Sequence, residues 1–199
     1  MKVGLVSITK PYLKEKEDMT AEELIVYIAR VSNPSNQLNT DTAHKLIAYM
    51  IRHKHWSPFD MVNLCVEVTT SKVVGIQILR HWSIKPQEFS QRYAEVVDIE
   101  PIQLRKAGET NRQSSEEVFD PELPTGKGSR PASLAIEIYI NEGRQLYRQL
   151  LEANVAKECA RMILPMASST TLYLNGSIRS WIITSNSASV LTLNLSIVR

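Results

Sequence analysis

Two apolar stretches, Val73-Val74-Gly75-Ile76-Gln77-Ile78-Leu79 and Ala94-Glu95-Val96-Val97, bracket the run Arg80-His81-Trp82-Ser83-Ile84-Lys85-Pro86-Gln87-Glu88-Phe89-Ser90-Gln91-Arg92-Tyr93. Segments that seek burial on both sides force any fold of this chain to carry the polar run at the rim of its core. Arg80, His81, Lys85, Glu88, Ser90 and Arg92 are groups suited to holding an anion or a polar ring: guanidinium forks, an imidazole that donates or accepts near neutral pH, a hydroxyl and a carboxylate. Concentrated between buried segments, they point to a site rather than to a solvated face.

A chain of 199 residues with 43% hydrophobic content can bury one good core. We therefore expect one domain over residues 1–181. A formal net charge of +2 does not imply a nucleic-acid-binding surface, and local basic clusters suit a small phosphorylated ligand better. Cys65 and Cys159 have neither disulfide nor zinc spacing, which fits a reducing cytoplasm. No stretch approaches a membrane span, and Met1 to Ile8 reads as a strand rather than a signal peptide.

The pattern along the chain predicts α+β: a central, mostly antiparallel sheet with packed helices, and a helical C-terminal half. Thr20 and Glu23 form a capping box for a helix with Leu24, Ile25, Tyr27 and Ile28 as its apolar stripe. A second helix starts at Thr40 or Asp41, carries Leu46, Ile47, Met50 and Ile51, and ends in Arg52-His53-Lys54-His55 before Trp56-Ser57-Pro58. Val62 to Val68 alternates with period two and is a strand. Ser71 caps a helix from Lys72 to about Trp82, delivering Arg80 and His81 at its last turn. Glu88 to Val97 is expected to be extended, so that Glu88, Ser90 and Arg92 share a face. Arg105 to Pro131 (106–130 in its core) lacks a hydrophobic period and reads as a long loop. Helices follow over 131–153 and 155–164, and 169–181 is expected to be helical. The segment 182–199 has one charged side chain, Arg199, and reads as an atypical tail.

Each candidate group has an ordinary reading beside the functional one. Arg80 and His81 could be cations capping a helix C-terminus, but the density of the surrounding run favours a site. Glu88, Ser90 and Arg92 could be a surface strand with an internal ion pair. His53 and His55 have only Asp60 as a nearby third ligand, so we expect no metal. His55 reads better as a polar wall of a cofactor pocket. Glu158 and Arg161 share a helix face and could be a surface pair. Both cysteines read as small packing residues.

The run also resembles a signature of the flavin-dependent thymidylate synthases, an Arg-His-Arg triplet followed at fixed spacing by Ser. Arg80-His81 opens it, Ser90 closes it, and Trp82 replaces the third residue, as in one branch of the family. The resemblance spans about residues 20 to 181. It includes Ala29-Arg30-Val31-Ser32, His55-Trp56-Ser57-Pro58-Phe59-Asp60, Gln77 ahead of Arg80, Asn111-Arg112-Gln113-Ser114-Ser115, and Val155-Ala156-Lys157-Glu158-Cys159-Ala160-Arg161 with Leu164-Pro165.

The resemblance implies conversion of dUMP to dTMP, with FAD as cofactor and methylenetetrahydrofolate and NADPH as co-substrates. It implies a homotetramer with active sites shared between subunits. By position, Gln77, Arg80, Glu88, Ser90, Gln91, Arg92 and Arg161 would hold dUMP. Ser32, His55, Ser57, Arg80, His81, Trp82 and Glu88 would line the FAD site. The family's ring-activating Arg, expected beyond Arg179-Ser180-Trp181, has no match, and Arg199 stands at the wrong place, so no catalytic residue is assigned. The alternative is a homologue that binds nucleotide or FAD with little or no turnover. An unrelated RNA- or nucleotide-binding module would need the aromatic stacking pattern that this chain lacks.

Overall fold

The computed structural model describes residues 1–14, 16–96, 98–110, 115–126 and 128–187, without the side chains of 185–187. The chain divides into two compact units. The first comprises Met1–Thr69, Val74–Glu88 and Thr171–Arg199; the second comprises Thr70–Val73 and Phe89–Thr170. The mixture of helices and sheets is the α+β class expected.

The first unit is organised by a four-stranded sheet of order β1-β2-β8-β3, formed by β1 (Lys2–Ile8), β2 (Asn63–Ser71), β3 (Lys85–Glu88) and β8 (Ser169–Ser177). β1 runs antiparallel to β2 with a register irregularity between Leu5 and Ser7, and β3 runs antiparallel to β8 with Pro86 opposite Leu174. β2 is the strand its alternation predicts: Leu64, Val66 and Val68 point into a cluster with Leu172, Leu174, Ile78, Ile84 and Trp181. A second cluster, built around Ile25, Met50, Phe59 and Val62, packs α1 (Ala21–Ala29) and α2 (Ala43–Arg52) onto the 3₁₀ turn Ser57–Met61. The Thr20–Glu23 capping box is present on α1. The threonine hydrogen bond and then Lys16 hold the Glu23 carboxyl below its ordinary range.

The end of α2 has a conformation that suits glycine. The His55 N–H donates to the Met50 carbonyl at 2.8 Å and the Lys54 N–H to Ile51 at 3.2 Å, which leaves Lys54 at φ 58°. This is the paired six-to-one and five-to-two closure that places its middle residue in the left-handed region. Lys54→Gly is expected to raise stability by about 0.5–1 kcal/mol, read as a higher urea midpoint.

Three expectations for local structure are corrected. The segment 169–181 is not one helix. Ser169–Ser177 is β8, because Thr170, Leu172 and Leu174 are buried at period two, and only from Ile178 does the chain turn into α6 (Ile178–Ser187). The helical C-terminal half is therefore interrupted by a sheet strand. α6 also runs into the segment expected to be an atypical tail, with Ile182 packed against the second cluster; 188–199 lies outside the described residues.

α3 (Lys72–Ile78) stops short of Trp82. Ile78 and Ile84 are both buried in one cluster. Six residues apart on a helix they would sit about 240° apart, on different faces. The chain instead tightens: Arg80 and His81 donate to Gln77 and Ile78, three residues back. Ser71, the last residue of β2, stands immediately before the first residue of this helix, the position expected for its cap.

Finally, Glu88 to Val97 is not one extended segment. β3 ends at Glu88, and the Tyr93 and Ala94 N–H groups both donate to the Ser90 carbonyl, closing a turn. Glu88, Ser90 and Arg92 therefore do not line one strand face. Val97 lies outside the described residues.

The second unit holds two short hairpins where a loop was expected. β4 (Arg105–Ala107) pairs with β5 (Ser115–Val118), and β6 (Glu122–Thr125) with β7 (Gly128–Pro131). Their residues are mostly exposed, which explains why no hydrophobic period announces them. Asn111 to Ser114 lies outside the described residues. The long helix α4 (Ala132–Glu152) follows, then α5 (Lys157–Ala160) and a 3₁₀ turn, Arg161–Ile163.

Asp120 receives the Ser133 N–H at 2.8 Å and the Ser133 hydroxyl at 2.5 Å, capping the first turn of α4 from thirteen residues upstream. The Ser133 hydroxyl and then its N–H hold the Asp120 carboxyl below its ordinary range. A carboxyl depressed in the folded state contributes stability above its unfolded pKa and loses it as pH falls through the folded value. Asp120→Asn is thus expected to shrink the acid-induced drop in urea midpoint below about pH 4, while leaving the neutral-pH transition cooperative.

Candidate functional site

In the first unit, the segment His55 to Asp60 is fixed from below. Phe59 is buried in the second cluster. Asp60 accepts from the Ser177 hydroxyl at 2.9 Å and from Arg179 at 2.9 Å. Ser177 in turn caps α6 by accepting the Ser180 N–H at 3.2 Å. With Phe59 and Asp60 engaged, His55 and Ser57 are left on the surface. The His55 ring is 5.9 Å from Tyr49 and 6.2 Å from His53, an exposed aromatic group. Asp60, the third ligand considered for the histidine pair, is committed to Ser177 and Arg179 instead.

The turn after α3 is anchored the same way. Ile78 and Ile84 are buried, while Gln77, Arg80 and Trp82 between them are exposed and His81 is half-buried. Trp82 is 92% exposed, a whole indole presented to solvent. Among the described residues, no carboxylate lies within ion-pair distance of Arg80. Ser32, on the turn after α1, is exposed as well. Beside it Arg30 is spent on the loop, donating to the carbonyls of Asn36 and Asn39 and to the Thr42 hydroxyl. Glu88, half-buried, closes β3.

In the second unit, the turn Ser90–Ala94 meets α5. Arg92 Nε lies 3.9 Å from Glu158, and Lys157 Nζ reaches the Tyr93 carbonyl at 3.4 Å and the Glu95 carboxylate at 3.6 Å. Arg161 donates its Nε to the Glu158 carbonyl at 3.3 Å. Ser90 Oγ accepts the Arg92 N–H at 3.4 Å, and Gln91 is half-buried in the same turn. Arg92 and Lys157 thus each face a carboxylate, Glu158 and Glu95, while Arg161 is held only by the Glu158 backbone carbonyl. Glu158 pairs with Arg92 rather than with Arg161, its expected helix neighbour. The exposed pair at 3.9 Å is worth only a few tenths of a kcal/mol, so a phosphate competes readily for Arg92. Lys157 was missed in the sequence. Its place in the Lys-Glu-x-x-Arg segment was the available signal. Cys159 is exposed and Cys65 half-buried, so the packing role expected for both does not apply to Cys159.

This is an α+β protein that exposes guanidinium groups on turns anchored by buried neighbours, an arrangement suited to anionic ligands. A family model described as thymidylate synthase complementing protein matches residues 16–186. A probable flavin-dependent thymidylate synthase of Paramecium bursaria Chlorella virus 1 is 44% identical over 183 residues, covering 92% of this chain and 82% of the relative. The flavin-dependent thymidylate synthase of Synechocystis sp. is 43% identical over the same length, with the same coverage. Among solved structures, the UMP/dUMP methylase PolB from Streptomyces cacaoi, bound with 5-Br dUMP, aligns with a TM-score of 0.65 at 21% identity. That alignment covers 92% of this chain and 75% of PolB, and it shows the fold alone. The chain belongs to the flavin-dependent thymidylate synthase family. The family match runs to residue 186, past the compositional change at 182 and up to the last turn of α6.

The family implies FAD, and the residues present fit it in kind. A pyrophosphate asks for cationic and hydroxyl donors, which Arg80, His81 and Ser57 supply. An isoalloxazine or adenine ring asks for flat surfaces, which Trp82 and His55 present. Among the described residues, no helix is long and apolar enough to cross a membrane.

Proposed function

We propose that this protein is a methyltransferase that converts dUMP to dTMP, drawing the carbon from methylenetetrahydrofolate and reducing equivalents from NADPH. FAD, when bound, supplies the redox chemistry. The observation that carries the reading is the set of guanidinium groups on anchored turns of a chain of this family, exposed at Arg80 and Arg92 and half-buried at Arg161.

In this reading Arg92 and Arg161 take the nucleotide phosphate, with Ser90 and Gln91 as neutral donors at the same turn. Ser90 is a binding hydroxyl rather than a nucleophile, because no general base stands beside it. Gln77 and Arg80 face the uracil ring and stabilise negative charge as it develops there. Glu88 accepts from the nucleotide and borders the cofactor. Ser32, His55, Ser57, Arg80, His81 and Trp82 line the FAD site. The working form is a cytoplasmic homotetramer with shared active sites.

A second reading, binding with little or no turnover, draws support from α6. Arg179 is held by Asp60, and no further Arg follows it among the described residues. The visible spectrum of the purified protein, followed by anaerobic NADPH with and without dUMP, tests both. A flavin spectrum that bleaches and responds to dUMP, together with dTMP formed in the full assay, supports the synthase. Flavin and dUMP binding without dTMP selects the second reading. A protein that cannot be reconstituted with FAD overturns both.

A further inference from the structure

In the second unit, α4 carries Arg144, Tyr147 and Arg148 at positions i, i+3 and i+4, which share one helix face. All three line a cavity of about 170 Å³ whose wall also includes Glu95, Ile99 and Leu164. Tyr147 is 3% exposed. Neither its hydroxyl nor the buried Nε of Arg144 has a hydrogen-bond partner among the described residues.

A buried donor left unpaired costs on the order of 1–3 kcal/mol, and more when it is charged. Two such donors lining one cavity call for an acceptor inside it. Arg148 adds a third donor on the same face. Glu95 is the single carboxylate among the cavity-lining residues, and Lys157 holds it at 3.6 Å, which offsets its repulsion of an anion. The volume corresponds to about five waters. It is well below the ~300 Å³ at which pockets for larger organic ligands begin.

We infer that this cavity is a binding site for a small oxyanion of phosphate size, held by Arg144, Tyr147 and Arg148. The site uses neither Arg92 nor Arg161, so it is additional to the nucleotide site proposed above and does not rest on that reading. The ligand chemistry is an oxyanion with at least two acceptor oxygens, one for the phenol and one for the guanidinium groups.

Inorganic phosphate is the probe. The full chain is melted in rising potassium phosphate, and separately in potassium chloride at matched ionic strength, each with and without saturating dUMP. The expected result is a saturable rise in Tm with phosphate that chloride does not reproduce and that persists when dUMP is bound. Tyr147→Phe removes one hydroxyl without changing the packing volume, and Arg148→Met alters an exposed position. Each is expected to weaken the apparent phosphate Kd about tenfold. Equal shifts in phosphate and chloride, or a phosphate shift unchanged in both variants, would overturn the proposal and leave a water-filled cavity. Loss of the phosphate shift on adding dUMP would overturn it differently, by assigning the anion to the nucleotide's own phosphate. Absence of any dUMP effect counts against the nucleotide reading alone, and the phosphate arms still decide the cavity.

Discussion

Trp181→Ala is expected to lower the stability of the protein by about 3–5 kcal/mol, the range for emptying a large aromatic from a packed core. Trp181 is 2% exposed and lies in the cluster that joins β2, β8 and α6. Its indole N–H donates to the Leu64 carbonyl at 3.1 Å. The substitution therefore both opens a cavity and removes a buried hydrogen bond. In urea the midpoint should fall with little change in slope. Trp181→Phe keeps much of the volume but loses the donor, and should fall between the two, by about 1–3 kcal/mol. A midpoint for Trp181→Ala within the scatter of the parent would contradict the placement of α6 on the sheet.

Arg161→Ala is expected to weaken dUMP binding by about 10- to 150-fold, the loss of a charge-assisted contact worth about 1.5–3 kcal/mol. Titration calorimetry would read it directly. Arg161 is half-buried on a 3₁₀ turn, and among the described residues its one side-chain hydrogen bond is from Nε to the Glu158 backbone. Truncation thus leaves no carboxylate stranded, and the unfolding midpoint should barely move. Glu158→Gln should act in the opposite sense on the same titration, tightening dUMP modestly, because it frees Arg92 from its competing partner at 3.9 Å. Unchanged dUMP affinity in Arg161→Ala would remove Arg161 from the site.

These expectations also show what could be read in advance. The Thr20–Glu23 box and the alternation of β2 were legible because each is a local pattern with one structural solution. β8 was not. Its Leu172 and Leu174 alternate, but Ile178 and Trp181 downstream continue at helical spacing, and the junction at Ser177 is marked only by a cap that needs the folded chain to see. The ends of α3 and of the Glu88 segment were misjudged for a related reason. Burying Ile78 together with Ile84, and closing the turn on the Ser90 carbonyl, are tertiary and hydrogen-bonding choices that override local propensity. At the candidate site, the residue types were evident in the run from Arg80 to Tyr93. The partnerships were not: Glu158 with Arg92, Lys157 with Glu95 and Asp60 with Arg179 join positions between 62 and 119 residues apart.

The two margins of the four-stranded sheet have a consequence for how copies of this chain can meet. On one side stands β3, where Pro86 has no amide hydrogen to offer and Lys85 places a charge beside it. On the other stands β1, whose ladder slips between Leu5 and Ser7 and so departs from a straight hydrogen-bonding rail. Proline, lysine and an irregular rail are the features that discourage a foreign strand from zipping on. Self-association of this protein is thereby steered away from backbone templating, the route toward fibrils, and toward contacts between side chains, which can be selective and can close.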